Sequence, residues 1–111
     1  MLEPDIEREG ADWVAGMISE QFEAFIPSVF CEMVFDAERR IRDESGDPDM
    51  DHAAMADRLM AIFETDPEVP TANGAVSAML VTEVLYMEDQ FRAMAGQPRD
   101  VRPSPSRGTG H

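Results

Sequence analysis

The chain has 111 residues, of which 43% are hydrophobic, so it can form one folded domain and is too apolar for a wholly disordered protein. Its 23 acidic residues against nine basic ones give a net charge of −14, which repels nucleic-acid phosphates and disfavours direct DNA or RNA binding. The single cysteine, Cys31, excludes an internal disulfide.

The cysteine count and the N-terminal sequence predict where the protein works. One unpaired cysteine fits a reducing cytoplasm. The first ten residues are acidic and lack the basic and apolar regions of a signal peptide. No apolar run reaches the roughly 20 residues of a membrane-spanning helix. We therefore expect a soluble, cytoplasmic protein with no membrane partner.

The first predicted element is an amphipathic helix from about Pro4 to Phe25. Its apolar residues recur at the helical period of about 100° per residue, with acidic residues opposite. This apolar face consists of Ile6, Trp13, Val14, Met17, Ile18, Phe22 and Phe25. Pro27 then interrupts the pattern, because proline lacks the amide hydrogen that a helix interior uses. We expect a second helix at an angle to the first.

The second helix is predicted from about Ser28 to Glu44, and serine is a favoured residue at a helix start. Glu38 and Arg42 are four residues apart, which predicts an ion pair, and we place it on the outer side of this helix. Cys31 lies off the main apolar stripe. The sequence offers no base beside it, so we expect a small apolar residue rather than a nucleophile.

The third helix is predicted from Pro48 to about Thr65. Asp47 is a suitable cap, Pro48 suits the first helical position, and Asp49 and Asp51 favour the positive end of the helix dipole.

The same three aspartates begin the D-x-D-x-D pattern of a calcium-binding loop. His52 stands where such a loop needs glycine, and Arg58 stands where it needs a bidentate glutamate. We therefore predict helix capping and no metal at these residues.

The fourth helix is predicted from about Ala72 or Asn73 to Ala95, and Gly96 closes it. Residues 80–86 are rich in β-branched and aromatic side chains and have the propensity of a buried strand. The apolar stripe around them continues for far longer than a strand usually does, which favours a helix. The sequence thus predicts an all-α fold, a compact bundle of four helices in residues 1–96.

Residues 97–111 combine prolines, glycines and serines without apolar periodicity, which is typical of a flexible tail.

The fourth helix is apolar almost all the way round, which predicts a second molecule against it. One side of it serves the bundle core. Ala78, Val81 and Leu85 then remain on the other side, with no further helix in the chain to cover them. We expect a weak homodimer in which these three residues form a symmetric interface.

Two polar residues, His52 and Glu83, fall among the apolar positions of their helices. A buried carboxylate is costly without a partner, so each needs one. One hypothesis joins them as a buried acid and imidazole that titrate near neutrality. The favoured alternative places His52 in a partly exposed first turn and bonds Glu83 to a hydroxyl or an arginine, of this chain or of a second subunit.

The sequence contains no catalytic constellation, metal-ligand spacing or phosphate-binding loop, so we predict no enzyme and no cofactor. We expect a small acidic interaction protein, such as an adaptor, a regulator or an assembly chaperone, that binds a protein partner through apolar helix surface. One alternative is an acidic nucleic-acid mimic that blocks a DNA-binding protein, although the acids are spread over every helix. The other is a small-molecule-binding domain with a pocket around Glu83 and His52.

Overall fold

The computed structural model describes residues 4–67, 69, 71, 76–98 and 101, and within them the chain forms four helices and no strand. The helices are α1 (Pro4–Phe22), α2 (Ser28–Ser45), α3 (His52–Glu64) and α4 (Ala78–Met94). The predicted all-α bundle is confirmed. Most of the predicted tail, residues 97–111, lies outside the described residues, which include only 97, 98 and 101 of it.

Helix α1 ends at Phe22, earlier than predicted, because Glu23 adopts a left-handed backbone with φ 52°. The amide of Glu23 donates to the carbonyl of Glu20 at 3.3 Å, and the amide of Ala24 donates to that of Ser19 at 3.1 Å. These two bonds close a helix whose next residue is left-handed, a position that usually holds glycine. The hydrogen-bonded turn therefore outweighs the apolar pattern that continues to Phe25.

The connection between α1 and α2 is fixed by one side chain. The Ser19 hydroxyl accepts from the amide of Ile26 at 2.8 Å and donates to the carbonyl of Ile26 at 3.2 Å. Helix α2 then begins at Ser28, as predicted, with Pro27 rather than the serine in the capping position. We call this connection, residues 23–27, the corner.

Helix α3 begins at His52, four residues later than predicted. The Arg42 guanidinium Nη1 donates to the carbonyls of Pro48 at 2.8 Å and Met50 at 3.3 Å, so these carbonyls face a side chain rather than a helical amide. The Asp51 carboxylate instead caps the helix by accepting from the amide of Ala54 at 3.0 Å. The prediction of a cap at Asp47 is therefore wrong.

Helix α4 also begins later than predicted, at Ala78, because the hydroxyl of Ser77 accepts from the amide of Leu80 at 3.2 Å and caps it there. Residues 72–75, where the start was predicted, lie outside the described residues.

Helix α4 packs mainly against α1 and α3 and also contacts α2. Val81 and Leu85 are 0% exposed, so the prediction that these two side chains lie uncovered is wrong. No second molecule is needed to cover these two side chains, because the other helices of the chain bury them. Of the three residues assigned to a dimer interface, only Ala78 is exposed.

Helix α1 approaches α4 at a glycine. A Cβ built on Gly10 would lie 2.7 Å from two ring carbons of Phe91, closer than real side chains approach one another. The Trp13 ring lies beside the same phenylalanine, with ring centroids 6.1 Å apart. Glycine therefore sets how closely these two helices pack.

Within the part of the chain described here, no helix has both the length and the apolar character that crossing a bilayer requires.

Candidate protein interface

The corner and the start of α2 carry neighbouring exposed apolar side chains, among them the most exposed large apolar side chain of the described residues, Phe25. Phe25 is 85% exposed, and Val29, in the first turn of α2, is 63% exposed. Met33 follows Val29 by one helical turn and is also exposed. Exposed apolar residues that stand singly are ordinary, whereas neighbouring ones indicate a contact surface.

Phe25 and Val29 border an open groove of about 480 Å³, which we call the corner groove. Residues from α1, the corner and the start of α2 line it: Asp12, Ala15, Gly16, Ser19, Phe25, Ile26, Pro27, Ser28 and Val29. Its surface is mostly apolar, with one carboxylate and two hydroxyls. Both walls are held in place, because Ser19 binds both the amide and the carbonyl of Ile26.

Gly16 leaves the groove open on the α1 side. A Cβ built on this residue would have no neighbour within 4 Å, so no contact within the described chain requires glycine here. Glycine in a helix interior costs about 1 kcal/mol relative to alanine. At Gly16 the missing side chain gives an incoming molecule access to the helix backbone.

The chain around the groove is acidic. Residues 9–32 contain no arginine, lysine or histidine, and their five carboxylates all reach the surface: Glu9, Asp12, Glu20, Glu23 and Glu32. Exposed Arg8 directly precedes this stretch. The first basic residue after it, Arg39, donates to Glu7 at 2.7 Å and to Asp36 at 2.9 Å, and its hydrogen bond with Glu7 raises the pKa of its guanidinium. The groove thus lies in a region of negative potential.

Cys31 is buried behind this surface, in the same region of negative potential. Burial, together with the charges of Asp12 and Glu32, raises the pKa of its thiol to about 12. The thiol therefore stays protonated at neutral pH and is a poor nucleophile. This agrees with the interpretation of Cys31 as a small apolar residue.

A second groove, of about 310 Å³, lies between α2 and α3. Its lining includes Ile41, Glu44, Arg58 and Ile62. It is smaller, and its acidic and basic side chains are balanced. We therefore regard the corner groove as the stronger candidate.

His52 finds a carboxylate, but not the predicted one. Its Nε2 donates to Oδ2 of Asp89 at 2.6 Å, and its ring packs edge-on against Tyr86 with centroids 4.8 Å apart. The ring is buried, although the sequence favoured a partly exposed first turn. Asp89 was missed because it lies 37 residues from His52 in the sequence and no local pattern marks it as a partner.

Glu83 is only half-buried, so the prediction that it lies in the centre of the apolar stripe is wrong. The buried face of α4 has Val81, Val84, Leu85 and Glu88 at its centre. It is rotated by about one residue, or 100°, from the face predicted to pack in the core, which left Val81 and Leu85 outside. Neither of the two grooves is lined by Glu83 or His52.

Glu88 is one of two buried glutamates that pair with arginines on their own helices. Its Oε2 accepts from Nε of Arg92 at 3.3 Å, and Oε2 of Glu38 accepts from Nη2 of Arg42 at 3.1 Å. The predicted pair of Glu38 and Arg42 therefore exists, but its placement on the outer side of α2 is wrong. A spacing of four residues is the same for a surface pair and a buried one, so the sequence did not distinguish them.

Metal binding has no support in the part of the chain that the structure describes, where no group of three or more histidine, cysteine, aspartate or glutamate side chains is arranged to hold an ion.

No protein-family model matches the chain, and comparisons with curated proteins and with solved structures give no match either.

Proposed function

We propose that this chain is a non-enzymatic interaction protein that binds a protein partner through the corner groove and the exposed side chains of Phe25 and Val29. The observation that carries the proposal is the combination of two strongly exposed apolar side chains with an open groove whose walls are fixed. The proposal places the protein in the cytoplasm, where its single thiol remains reduced.

Covering the exposed side chains of the corner would contribute to the free energy of binding. Covering a phenylalanine or valine side chain fully is worth roughly 1.5 to 3 kcal/mol. Association costs several kcal/mol of translational, rotational and side-chain freedom, so only part of that gain appears as affinity. A fixed corner reduces the cost because Ser19 already orders the backbone on which Phe25 and Ile26 stand.

The proposal moves the predicted binding surface from α4 to the corner. Val81 and Leu85 are unavailable to any partner because the chain's own helices cover them. The function class predicted from the sequence, an adaptor, regulator or assembly chaperone, is retained as a proposal.

The test compares two variants that remove similar amounts of exposed apolar surface. One is Phe25→Ser with Val29→Ser, at the corner. The control is Met79→Ser with Met94→Ser on α4, where the native side chains are 67% and 63% exposed. Wild type and both variants serve as bait in a lysate of the source cell, and bound proteins are quantified by mass spectrometry, after circular dichroism has verified the helix content of each bait.

We expect one stoichiometric partner that the wild type and the α4 control retain and that the corner variant loses. Equal capture by all three chains would contradict the proposal. If a DNA-binding protein is captured and the corner variant still binds it, the result would instead support nucleic-acid mimicry. Recovery of no protein would favour a ligand-binding domain.

A further inference from the structure

We propose that the occupant of the corner groove is a basic amphipathic helix of a partner protein, seated across α1 at Gly16. This inference rests on the proposed function and specifies the chemistry of the partner. It combines the charge around the groove, the shape of the α1 wall and the absence of any sheet edge among the described residues.

Charge complementarity argues for a basic partner. Asp12 lines the groove, and the surrounding residues 9–32 carry five surface carboxylates and no basic side chain. A partner that flanks its apolar side chains with lysine or arginine is attracted to this region, and its encounter rate rises. An acidic partner is repelled by the same field.

The shape of the α1 wall argues for a helix. Asp12, Ala15, Gly16 and Ser19 lie at the spacing of neighbouring positions on one helix face. They form a strip of small side chains about 10 Å long, given a rise of about 1.5 Å per residue. A helix packs its ridge of side chains into such a strip, and a glycine at the crossing point allows close approach. An extended peptide usually adds to a sheet edge, and the described helices provide none.

A second copy of this chain is a poor occupant of the groove. Each copy would bring its own −14 net charge, and its corner is as acidic as the one it would meet. Like charges across an interface oppose association. The complementary charge must therefore come from a different protein.

The experiment uses the full chain and three synthetic helical peptides of equal length. All three have leucine at the same positions on one face, and the remaining positions are lysine in the first, glutamine in the second and glutamate in the third. Affinities are measured by fluorescence anisotropy at about 50 mM and about 500 mM salt, which differ strongly in charge screening.

We expect the lysine peptide to bind about tenfold or more tightly than the glutamine peptide at low salt, which is about 1.4 kcal/mol, and the glutamate peptide to bind most weakly. High salt should reduce the difference in affinity between the lysine and glutamine peptides. Asp12→Asn should reduce it as well. Asp57→Asn, an identical change at an exposed position of α3, should leave it unchanged.

Several results would overturn the inference. If the glutamine peptide binds and depends on Phe25, while the lysine peptide binds no more tightly, the basic partner is wrong and the apolar docking function stands. If no peptide binds at up to about 1 mM, helix docking is wrong, and the lysate experiment separately decides whether any partner uses the corner. A dimer that Gly16→Leu abolishes would identify a second copy as the occupant.

Discussion

The two glycines within α1 occupy opposite environments, although only six residues separate them. Gly10 lies against the Phe91 ring, where even a methyl group would come within 2.7 Å of ring carbons. Gly16 faces open space, with no atom within 4 Å of an added Cβ. Packing within the chain accounts for the first glycine and leaves the second without an internal reason.

This difference distinguishes a closed side of the molecule from an open one. The closed side is the bundle interior around α4, where buried charges are paired and one glycine sets a helix separation. The open side is the corner, where Glu23 occupies a left-handed position that favours glycine and where Phe25 faces solvent. On the closed side polar and apolar groups find partners within the chain, whereas on the open side apolar side chains stay exposed.

The largest effect should come from breaking a buried charge on the closed side. Arg42→Met leaves Glu38 without this guanidinium and removes the hydrogen bonds to the carbonyls of Pro48 and Met50. Loss of one member of a buried pair typically costs 3 to 5 kcal/mol, and we expect about that loss of unfolding free energy in urea titration.

The control for this prediction is Arg40→Met on the same helix. Arg40 is exposed and lies 3.6 Å from an exposed carboxylate of Asp36, so its replacement should cost less than about 1 kcal/mol. Equal losses for the two variants would contradict the placement of Arg42 in the interior.

A smaller loss is expected where α1 meets α4. Gly10→Ala should destabilise the protein by about 1 to 3 kcal/mol, because the added methyl group forces the Phe91 ring to move. Helix propensity alone would predict the opposite sign. Thermal unfolding of Gly10→Ala, of Phe91→Leu and of the double variant measures the coupling, and Gly10→Ala should cost less when residue 91 is leucine. Additive effects would show that the two residues do not meet.

High pH should weaken the fold through Cys31. The pKa of its thiol is about 12 in the folded protein against 9.0 for a cysteine exposed to water, so the thiol of the unfolded chain loses its proton at lower pH. Ionisation of Cys31 therefore leaves the free energy of unfolding unchanged below pH 9. Between about pH 9 and 12 it lowers that free energy by up to about 1.4 kcal/mol per pH unit. The chain contains no lysine, so few other groups titrate in this range.

Urea titrations at several pH values should show this slope in wild type and a smaller slope in Cys31→Ala. Asp12→Asn should reduce the slope partially, because the charge of Asp12 is the second-largest cause of the raised pKa, after burial. An unchanged slope in Cys31→Ala would refute the assignment.

The smallest effect is a gain on the open side. Gly16→Ala should stabilise the protein by about 1 kcal/mol, because the helix gains propensity and the new methyl group has room. Thermal unfolding beside Gly10→Ala then gives opposite signs for the same substitution in one helix. If Gly16→Ala destabilised the protein instead, other atoms would have to occupy the space that the methyl group enters.

The sequence was sufficient for the fold class because helical periodicity and strong interruptions are local signals. It located Pro27 between α1 and α2 and placed the start of α2 correctly. The starts of α3 and α4 were missed because side chains decide them: Arg42 takes the carbonyls before α3, and Ser77 caps α4. Such contacts follow from the tertiary structure and have no unique local pattern.

The site was less predictable than the fold. The surplus apolar surface was expected on α4, since the sequence does not reveal that α4 lies between the other helices. Apolar character alone does not separate the two faces of α4, because Met79 and Met94 are exposed while Val81 and Val84 are buried. The corner was predicted as the last turn of α1, and only the left-handed Glu23 releases Phe25 from the helix. The one sequence signal that pointed to the corner was the acidic stretch around Pro27, which has no basic residue.

The most direct test of the corner as an interface is Gly16→Leu, measured for stability and for partner capture in the same preparation. The side chain fills the groove from a position that has room for it, so we predict a chain at least as stable as wild type that loses the partner recovered by wild type. Undiminished capture by this stable variant would contradict the account, because the corner groove would then be blocked without consequence.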